Sequence, residues 1–371
     1  MNYRLGRIPG DGVGPEVVDA ASTVLEAAGR AFGYTIEWVD IAAGGNAIDR
    51  FGAAIRPEDV ERGRETDAIL LGAVGGPRWS DPNAAVRPEQ ALFALRGGLG
   101  LYANLRPVTV HPALVASSPL RPELLDGVDL MIVRELTGGI YFGKPSDEWI
   151  GDRGRQAIDT LPYDEVEIRR IVTLAFGLAR ARRRKVTQID KANVMATSRL
   201  WRKVTDEVRE EFADVELEHR LVDSAAMALV TRPAAFDVIV TENLFGDILS
   251  DEAAVLAGSL GMLPSASLGE RETASGTFGL YEPIHGSAPD IAGTGRANPL
   301  GTILSAAMLC RWSLGRSDVA AAIESAVSSA LQAGVRTPDL VAPGMSSATV
   351  NTQEMTAAVL ERIPTPAGVG Q

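Results

Sequence analysis

Apolar positions along the chain follow two periods. Short strand-like runs (YRLGRI, YTIEWVD, AILLGAVG, DLMIVREL, KVTQIDK, VELEHRLVD and FDVIVTE) alternate with stretches of helical period such as GPEVVDAASTVLEAAG. That alternation predicts an α/β protein with a largely parallel sheet. The pattern lapses between residues 143 and 163, where GKPSDEWIGDRGRQAIDTLP is polar and rich in Gly and Pro. So long a connection is either disordered or an excursion that packs on something, a second subunit among the candidates. The basic run RARRRK (180–185) closes a helix and reads as a solvated, dipole-favoured C-terminus. The last stretch, IPTPAGVGQ, reads as a frayed tail.

One helix breaks its own pattern. From about Asn243, NLFGDILSDEAAV is apolar yet carries Asp247 and Asp251 four residues apart. With Leu244 at zero, the two acids fall at about 300° and about 340°, between Ala254 and a stripe of Leu244, Val255 and Ile248. Like charges at that spacing repel by a few tenths of a kcal/mol. No Lys or Arg in the helix offsets them. The pattern therefore predicts that something positive sits over both carboxylates.

Composition narrows the class. The chain has 371 residues, 46% hydrophobic, enough for a large core and two lobes. Its net charge of −12 argues against a nucleic-acid or anionic-membrane surface. The single cysteine, Cys310, lies in an apolar helical run, which excludes an intrachain disulfide framework and suits a reducing, cytoplasmic setting. No run is long and apolar enough to span a bilayer.

Polar chemistry gathers at several element ends. IPGDGVGPEVV invites a dinucleotide fingerprint, but its glycines run G-x-G-x-G, and the acid Asp40 lies about ten residues too far along. A tight Gly loop is the better reading. In RPEQALFALRGGLG, Pro88 opens a helix whose one face holds Glu89, Leu92, Phe93 and Arg96; a cation, an acid and apolar bulk suit a carboxylate ligand with a greasy arm. Arg106 precedes a proline and so sits on extended backbone. Arg134 ends a strand, followed by a Gly-Gly turn and Tyr141. Three such arginines can grip two carboxylates through forked hydrogen bonds. Lys191 stands at a strand-to-helix junction. Asp223 ends the run Val215, Leu217, His219, Leu221, where it is either a helix N-cap or a ligand; His219 reads as a packing residue. Asp223, Asp247 and Asp251 together would make an all-oxygen site suited to Mg²⁺ or Mn²⁺. The stretch 279–301, GLYEPIHGSAPDIAGTGRANPLG, reads as a long irregular binding loop with Glu282, His285, Asp290 and Asn298. Asp290 suits a pair of ribose hydroxyls and repels a 2′-phosphate.

The motifs ALRGGLGLYANLRP, RELTGGIYFG, DKANVM, TENLFGDILSDEA and EPIHGSAPDIAGTGRANP resemble those of the β-decarboxylating dehydrogenases, the isocitrate/isopropylmalate dehydrogenase family. The resemblance runs almost the length of the chain. It implies a two-domain α/β fold of that family's own kind, around a central cleft, and not a Rossmann fold. One domain would span 1–101 and 258–371 and hold NAD; the other, 102–257, would carry the metal carboxylates, the dimer interface and an arm near 143–163. The implied reaction is NAD-dependent oxidative decarboxylation of a 2-hydroxy dicarboxylate: 3-isopropylmalate to 4-methyl-2-oxopentanoate, or, as alternatives, tartrate/malate or homoisocitrate. Matched residue by residue, Arg96, Arg106 and Arg134 resemble the substrate ligands, Tyr141 and Lys191 the acid–base pair, and Asp223, Asp247 and Asp251 the ligands of Mg²⁺ or Mn²⁺. Glu89, Leu92 and Val194 match positions that favour an isopropyl arm, while Ala91 and Phe93 depart from the usual Gly and Leu. Glu282, His285, Gly286, Ser287, Ala288, Asp290, Ile291 and Asn298 match the NAD site. The resemblance also implies a homodimer in which Lys191 and Asp223 serve the partner's site.

Overall fold

The computed structural model describes residues 1–81, 84–342, 344 and 348–364. The reading of a frayed tail falls mostly on 365–371, outside the described residues. The strands are β1 (Asn2–Gly10), β2 (Thr35–Asp40), β3 (Ala68–Ala73), β4 (Leu101–Thr109), β5 (Asp129–Glu135), β6 (Asp147–Gly151), β7 (Gly154–Ile158), β8 (Lys185–Asp190), β9 (Glu216–Leu221), β10 (Val238–Thr241), β11 (Pro264–Glu272) and β12 (Thr277–Pro283). The α-helices are α1 (Gly14–Phe32), α2 (Gly45–Phe51), α3 (Pro57–Arg64), α4 (Gln90–Gly98), α5 (Pro122–Leu125), α6 (Glu165–Arg180), α7 (Ala196–Arg209), α8 (Val222–Thr231), α9 (Asn243–Ala254), α10 (Leu300–Trp312), α11 (Ser317–Gln332) and α12 (Thr352–Leu360). The class is mixed α/β, and the chain divides into two compact units: 1–101, 111–119 and 257–371 in one, 102–110 and 120–256 in the other.

In the first unit the strand order is β2-β1-β3-β12-β11. The first three and β12 run parallel, and β11 is antiparallel to β12. β3 is buried along its whole length, as its unbroken apolar run demands of a central parallel strand. A core of Ile8, Ile41, Ile69, Leu71, Leu95, Leu99, Phe278 and Leu280 packs beneath α4. Helix α10 is apolar nearly all round and is buried accordingly, Cys310 with it. Burial pushes that thiol up to about 12, so it is inert at neutral pH. The Gly loop after β1 is a close approach of backbones. Gly10 has φ 73°, and a Cβ there would lie 1.8 Å from the Ala73 carbonyl oxygen. The buried Asp11 carboxylate accepts N–H bonds from Gly45, Asn46 and Gly75 at 2.7–2.9 Å, tying three loops together.

In the second unit β4 is antiparallel to β5, and β5-β10-β8-β9 run parallel. Ile132, Val133, Phe176, Val186, Ile189, Trp201, Val238 and Val240 are buried in its core. Helix α6 starts on a full capping box, Asp164 with Glu167. The run RARRRK is more structural than its composition suggests. Arg182 donates to Asp129 and to the buried Asp237, both at 2.8 Å, and Arg180 pairs with Asp214. The 143–163 excursion is ordered as the β6–β7 hairpin, with Trp149, Ile150 and Ile158 exposed on it.

Several expectations are corrected. The alternation that places Asp223 at a strand end stops at Leu221. Asp223 sits in the first turn of α8, and Leu221, whose side chain makes no capping hydrogen bond, is the N-cap. Stretch 279–301 begins inside β12, so its irregular part starts at Ile284. Helix α4 begins at Gln90, two residues after Pro88, and Gly97-Gly98 form its last turn. Helix α9 buries Gly246, Leu249, Ser250 and Ala253, while Ile248 and the C-capping Val255 face solvent. Small residues suffice on the buried side because α9 lies close on β5: a Cβ at Gly246 would come 2.6 Å from the Arg134 Cγ.

Gly10→Ala should destabilise the first unit, since the left-handed backbone costs a β-carbon about 1–2 kcal/mol and the clash with Ala73 adds about 1–3 kcal/mol. The check is the thermal unfolding midpoint, expected to fall by several degrees; an unchanged midpoint would mean the loop relaxes freely.

Candidate functional site

In the second unit the ends of β4, β5 and β10 converge on the start of α9. Register places Asn104 of β4 opposite Arg134 of β5, and Arg106, two residues on, projects to the same side. Glu242 caps α9, accepting from the N–H groups of Phe245 at 2.8 Å and Leu244 at 3.1 Å. Asn243 follows. Its Oδ1 accepts from Arg134 Nε at 3.0 Å and Nη2 at 2.8 Å, and its Nδ2 donates to the Gly138 carbonyl at 3.1 Å. Arg134 is buried, and its Nη1 pairs directly with Asp247. Arg106 donates through Nε to Asn104 at 2.8 Å and through Nη1 to Ser250 at 2.6 Å and Asp251 at 3.1 Å, with Nη2 3.8 Å from Asp247.

The positive charge over the two aspartates is thus supplied by the protein's own arginines, from neighbouring strands. Asp251 nevertheless keeps 67% of its side chain exposed, so it has oxygen lone pairs to offer outward. Tyr141 donates its hydroxyl to Asp247 Oδ2 at 2.7 Å. Burial first, then that hydrogen bond, pushes its pKa up to about 12, which keeps the phenol protonated at neutral pH.

Lys191 and Asp223 form a second cluster in the same unit. The Lys191 Nζ donates to Asp223 Oδ1 at 2.5 Å, and the lysine holds the carboxyl below its usual range. Both groups are partly exposed, and Val194 beside them is 68% exposed. Asp223 does not join Asp247 and Asp251. Among the described residues no three His, Cys, Asp or Glu groups converge to hold a metal. Two carboxylates one helical turn apart still suit a hard divalent cation whose remaining ligands are oxygens from elsewhere. His219 is a packing residue, between Gln188 Oε1 at 2.7 Å and Asp206 Oδ1 at 2.9 Å.

The first unit holds the other predicted residues. Arg96 pairs with Glu282 at 3.3 Å, and its Nε is sealed from solvent without a hydrogen-bond partner. Glu89 is exposed, Leu92 packs partly against the core, and Phe93 is the more outward of the two. In the loop after β12, the Ser287 carbonyl accepts from Val13 N–H at 2.9 Å, and Ala288 takes φ 38°. Ile291 packs on Val13, Val17 and Ala297, while Asp290 is exposed. His285 donates through Nδ1 to the Gly286 carbonyl at 2.9 Å; its Nε2 is buried and has no partner. Burial lowers its pKa, so the neutral ring presents Nε2 as an unmet acceptor. A buried acceptor without a donor fits a loop that takes a ligand, and a Cβ at Gly286 would meet open space. Asn298 differs: its amide donates to Asp339 at 3.0 Å and accepts from Leu300 N–H at 3.0 Å, so both ends serve the fold. Sequence reasoning missed Tyr163, Glu135, Glu242 and Asn243; glutamate is not among the residues that usually cap a helix, so even the N-cap of α9 carried no local signal.

Loss of the His285 ring should show in acid. Its lowered folded pKa means that native stability falls as pH drops through the unfolded histidine's range near 6.5. His285→Gln should therefore lose less melting temperature than the wild type between pH 7.5 and pH 5; equal losses would place the ring in water.

Set against known proteins, the chain matches the isocitrate/isopropylmalate dehydrogenase profile over residues 4–359. It is 57% identical over 340 residues to a 3-isopropylmalate dehydrogenase of Anaeromyxobacter dehalogenans, covering 92% of this chain and 95% of the relative. It is 55% identical over 362 residues to one from Geobacillus kaustophilus, covering 97% and 96%. Among solved structures, an isocitrate dehydrogenase from Methylococcus capsulatus superposes with TM-score 0.84 at 35% identity, covering 97% of this chain and 99% of that one. A β-decarboxylating dehydrogenase from Thermococcus kodakarensis gives 0.76 at 36% identity, covering 97% and 96%.

Proposed function

Because the chain belongs to the isocitrate/isopropylmalate dehydrogenase family, whose members use a divalent metal and a nicotinamide cofactor, we propose that it converts 3-isopropylmalate to 4-methyl-2-oxopentanoate, the oxidative decarboxylation that supplies leucine biosynthesis. The observation that carries this reading is the tyrosine–aspartate–arginine cluster at the head of α9, met by relatives of the stated name at more than half identity. The finer cofactor assignments are NAD⁺ and Mg²⁺ or Mn²⁺. Asp290, exposed in the loop after β12, disfavours a 2′-phosphate by charge, and an all-oxygen ligand set favours the hard cations. The single buried thiol suits the cytoplasm.

Bound there, the cation would polarise the substrate's oxygens and NAD⁺ would accept the hydride. Asp247 and Asp251 would hold the cation from this chain. Arg106 and Arg134, with Arg96, would grip the malate carboxylates; forked guanidiniums recognise both charge and plane. Tyr141, protonated at neutral pH, would deliver its proton to the carbon that loses CO₂. Lys191 would take the proton of the C2 hydroxyl. Glu89, Leu92 and Val194 would meet the alkyl arm, and Glu282, His285, Gly286, Ser287, Ala288, Asp290, Ile291 and Asn298 would bind NAD, Asn298 through its backbone because its amide is spent.

Lys191 and Asp223 point to a homodimer with shared sites. They lie on the surface, apart from the other acids they would serve. Beside them α8 and α9 expose Met227, Val230, Ile248 and Val255, an apolar face that a second copy would cover. The β6–β7 hairpin, isolated and carrying exposed Trp149 and Ile150, is marginal until something packs on it.

The direct test mixes the protein with Mn²⁺, NAD⁺ and 3-isopropylmalate and follows NADH absorbance, with malate, tartrate, homoisocitrate and isocitrate in parallel. We expect 3-isopropylmalate to lead, and NAD⁺ to exceed NADP⁺ by at least about tenfold, for which 1.4 kcal/mol suffices. A better rate with isocitrate or homoisocitrate would refute the substrate. Shared sites are tested by subunit mixing. Lys191→Ala and Arg106→Ala should each be inactive, yet after exchange the mixed dimer has one intact site, restoring up to about a quarter of wild-type activity. Exchange proven by mass-tagged chains without recovered activity would show that each chain completes its own site.

A further inference from the structure

We propose that Tyr163, which touches neither substrate nor cofactor in the reading above and rests on that reading, is a positioning residue that sets the Tyr141–Asp247 contact. Its side chain meets each of the backbone segments that carry the cluster. The hydroxyl accepts the Asn243 N–H at 3.0 Å, at the first residue of α9. It faces Glu135 Oε2 at the end of β5 at 3.3 Å and Glu242 Oε2 at 3.4 Å. Its ring fills the space beside the Gly-Gly turn that leads to Tyr141. A Cβ at Gly138 would lie 2.6 Å from the Tyr163 Cε1, and one at Gly139 would lie 2.6 Å from the hydroxyl oxygen. Gly139 N–H also donates to the carbonyl of Pro162, next to Tyr163, at 3.1 Å. The ring itself is fixed edge-on against the fully buried Trp201, 5.4 Å between centroids.

One hydroxyl proton stands between two buried carboxylates. Glu135 has other donors: Thr137 N–H at 2.8 Å, Thr137 Oγ1 at 2.5 Å and Gly138 N–H at 2.7 Å, with Arg170 at 3.7 Å. Glu242 accepts from the two helix N–H groups it caps and lies in the favourable field of Arg134. Removing the tyrosine's proton leaves two acids facing each other across an empty position, and Asn243 N–H without an acceptor. Both disturb the start of α9, and Asn243 transmits the shift to Arg134, which it holds by two hydrogen bonds. Arg134 and Tyr141 make the direct hydrogen bonds to Asp247, with Arg106 farther off at 3.8 Å. Burial raises the Tyr163 pKa far above the ordinary phenol, so the proton is present at any working pH.

Tyr163→Phe keeps the ring against Trp201 and the Gly-Gly turn while removing the hydroxyl. Measured on the full-length enzyme, kcat/KM for the hydroxy acid should fall about tenfold, and the Mn²⁺ dissociation constant, read by calorimetry with substrate present, should rise by a similar factor. KM for NAD⁺ should stay within twofold of wild type. Adding Glu242→Gln to Tyr163→Phe should restore part of both losses, because the amide keeps a capping oxygen and offers N–H toward Glu135. If the single variant only lowers the melting temperature, leaving Mn²⁺ affinity and kcat/KM within about twofold, Tyr163 is structural and the proposal is wrong. Failure of the double variant to exceed the single one would equally overturn the shared-proton account. A wild type inactive on every hydroxy acid would instead refute the functional reading, a result distinct from both.

Discussion

The arrangement turns on one buried cation. Arg134 ends a parallel strand with its side chain almost wholly withdrawn from water. A guanidinium in that position is tolerable only if its donors are met, since an unpaired buried charge costs several kcal/mol. Asn243 meets two of them and Asp247 a third. Those acceptors belong to the first two turns of α9, so satisfying Arg134 fixes where α9 begins and how it is rotated. The rotation in turn points Asp251 outward and buries Gly246 against the arginine's own side chain.

This explains why an apolar helix keeps two acids at a repulsive spacing. Within α9 alone they cost stability. In the folded unit Arg106 and Arg134 reverse the sign, and only partly. Asp247 is shared among two guanidiniums and a phenol, while Asp251 has one partner and much open surface. The cluster is near neutrality without being closed, a state suited to exchanging a protein cation for a bound one. A surface pair such as Lys191–Asp223 has the same character: strong enough to set the side chains' directions, exposed enough to open at small cost.

What the sequence made legible follows from how local each signal is. Strand–helix alternation depends on neighbours along the chain, so β1, β2, β3, β5, β8, β9 and β10 and most of the helices that follow them were readable. The antiparallel β11–β12 pair was not, because Gly279, Pro283 and their polar neighbours read as a loop until β3 supplies a partner edge. Asp247 and Asp251 announced themselves by conflict with their own helix. Tyr163 had no such conflict. It is one polar aromatic in a Pro-rich approach to a helix, and its meaning arises from residues 28 and 79 positions away. The orientation of α9 was not legible for the same reason: the periodicity groups Leu244, Ile248 and Val255 on one face, but close packing on β5 buries the small residues instead.

The outward face of α9 carries the synthesis one step on. Large apolar side chains at Ile248 and Val255 cost solubility in a lone chain, and α8 adds Met227 and Val230 to the same liability. Each lies on a helix that also carries a carboxylate assigned to the metal: Asp223 on α8, Asp247 and Asp251 on α9. A second copy that covers this apolar surface therefore packs against the helices that supply the ligands. On the proposed homodimer, burial of the face and completion of the ligand set would be one event, and the cation would take over acids now held by Arg106, Arg134 and Lys191. On that proposal metal binding and dimer stability would be linked quantities, each strengthening the other by the same free energy.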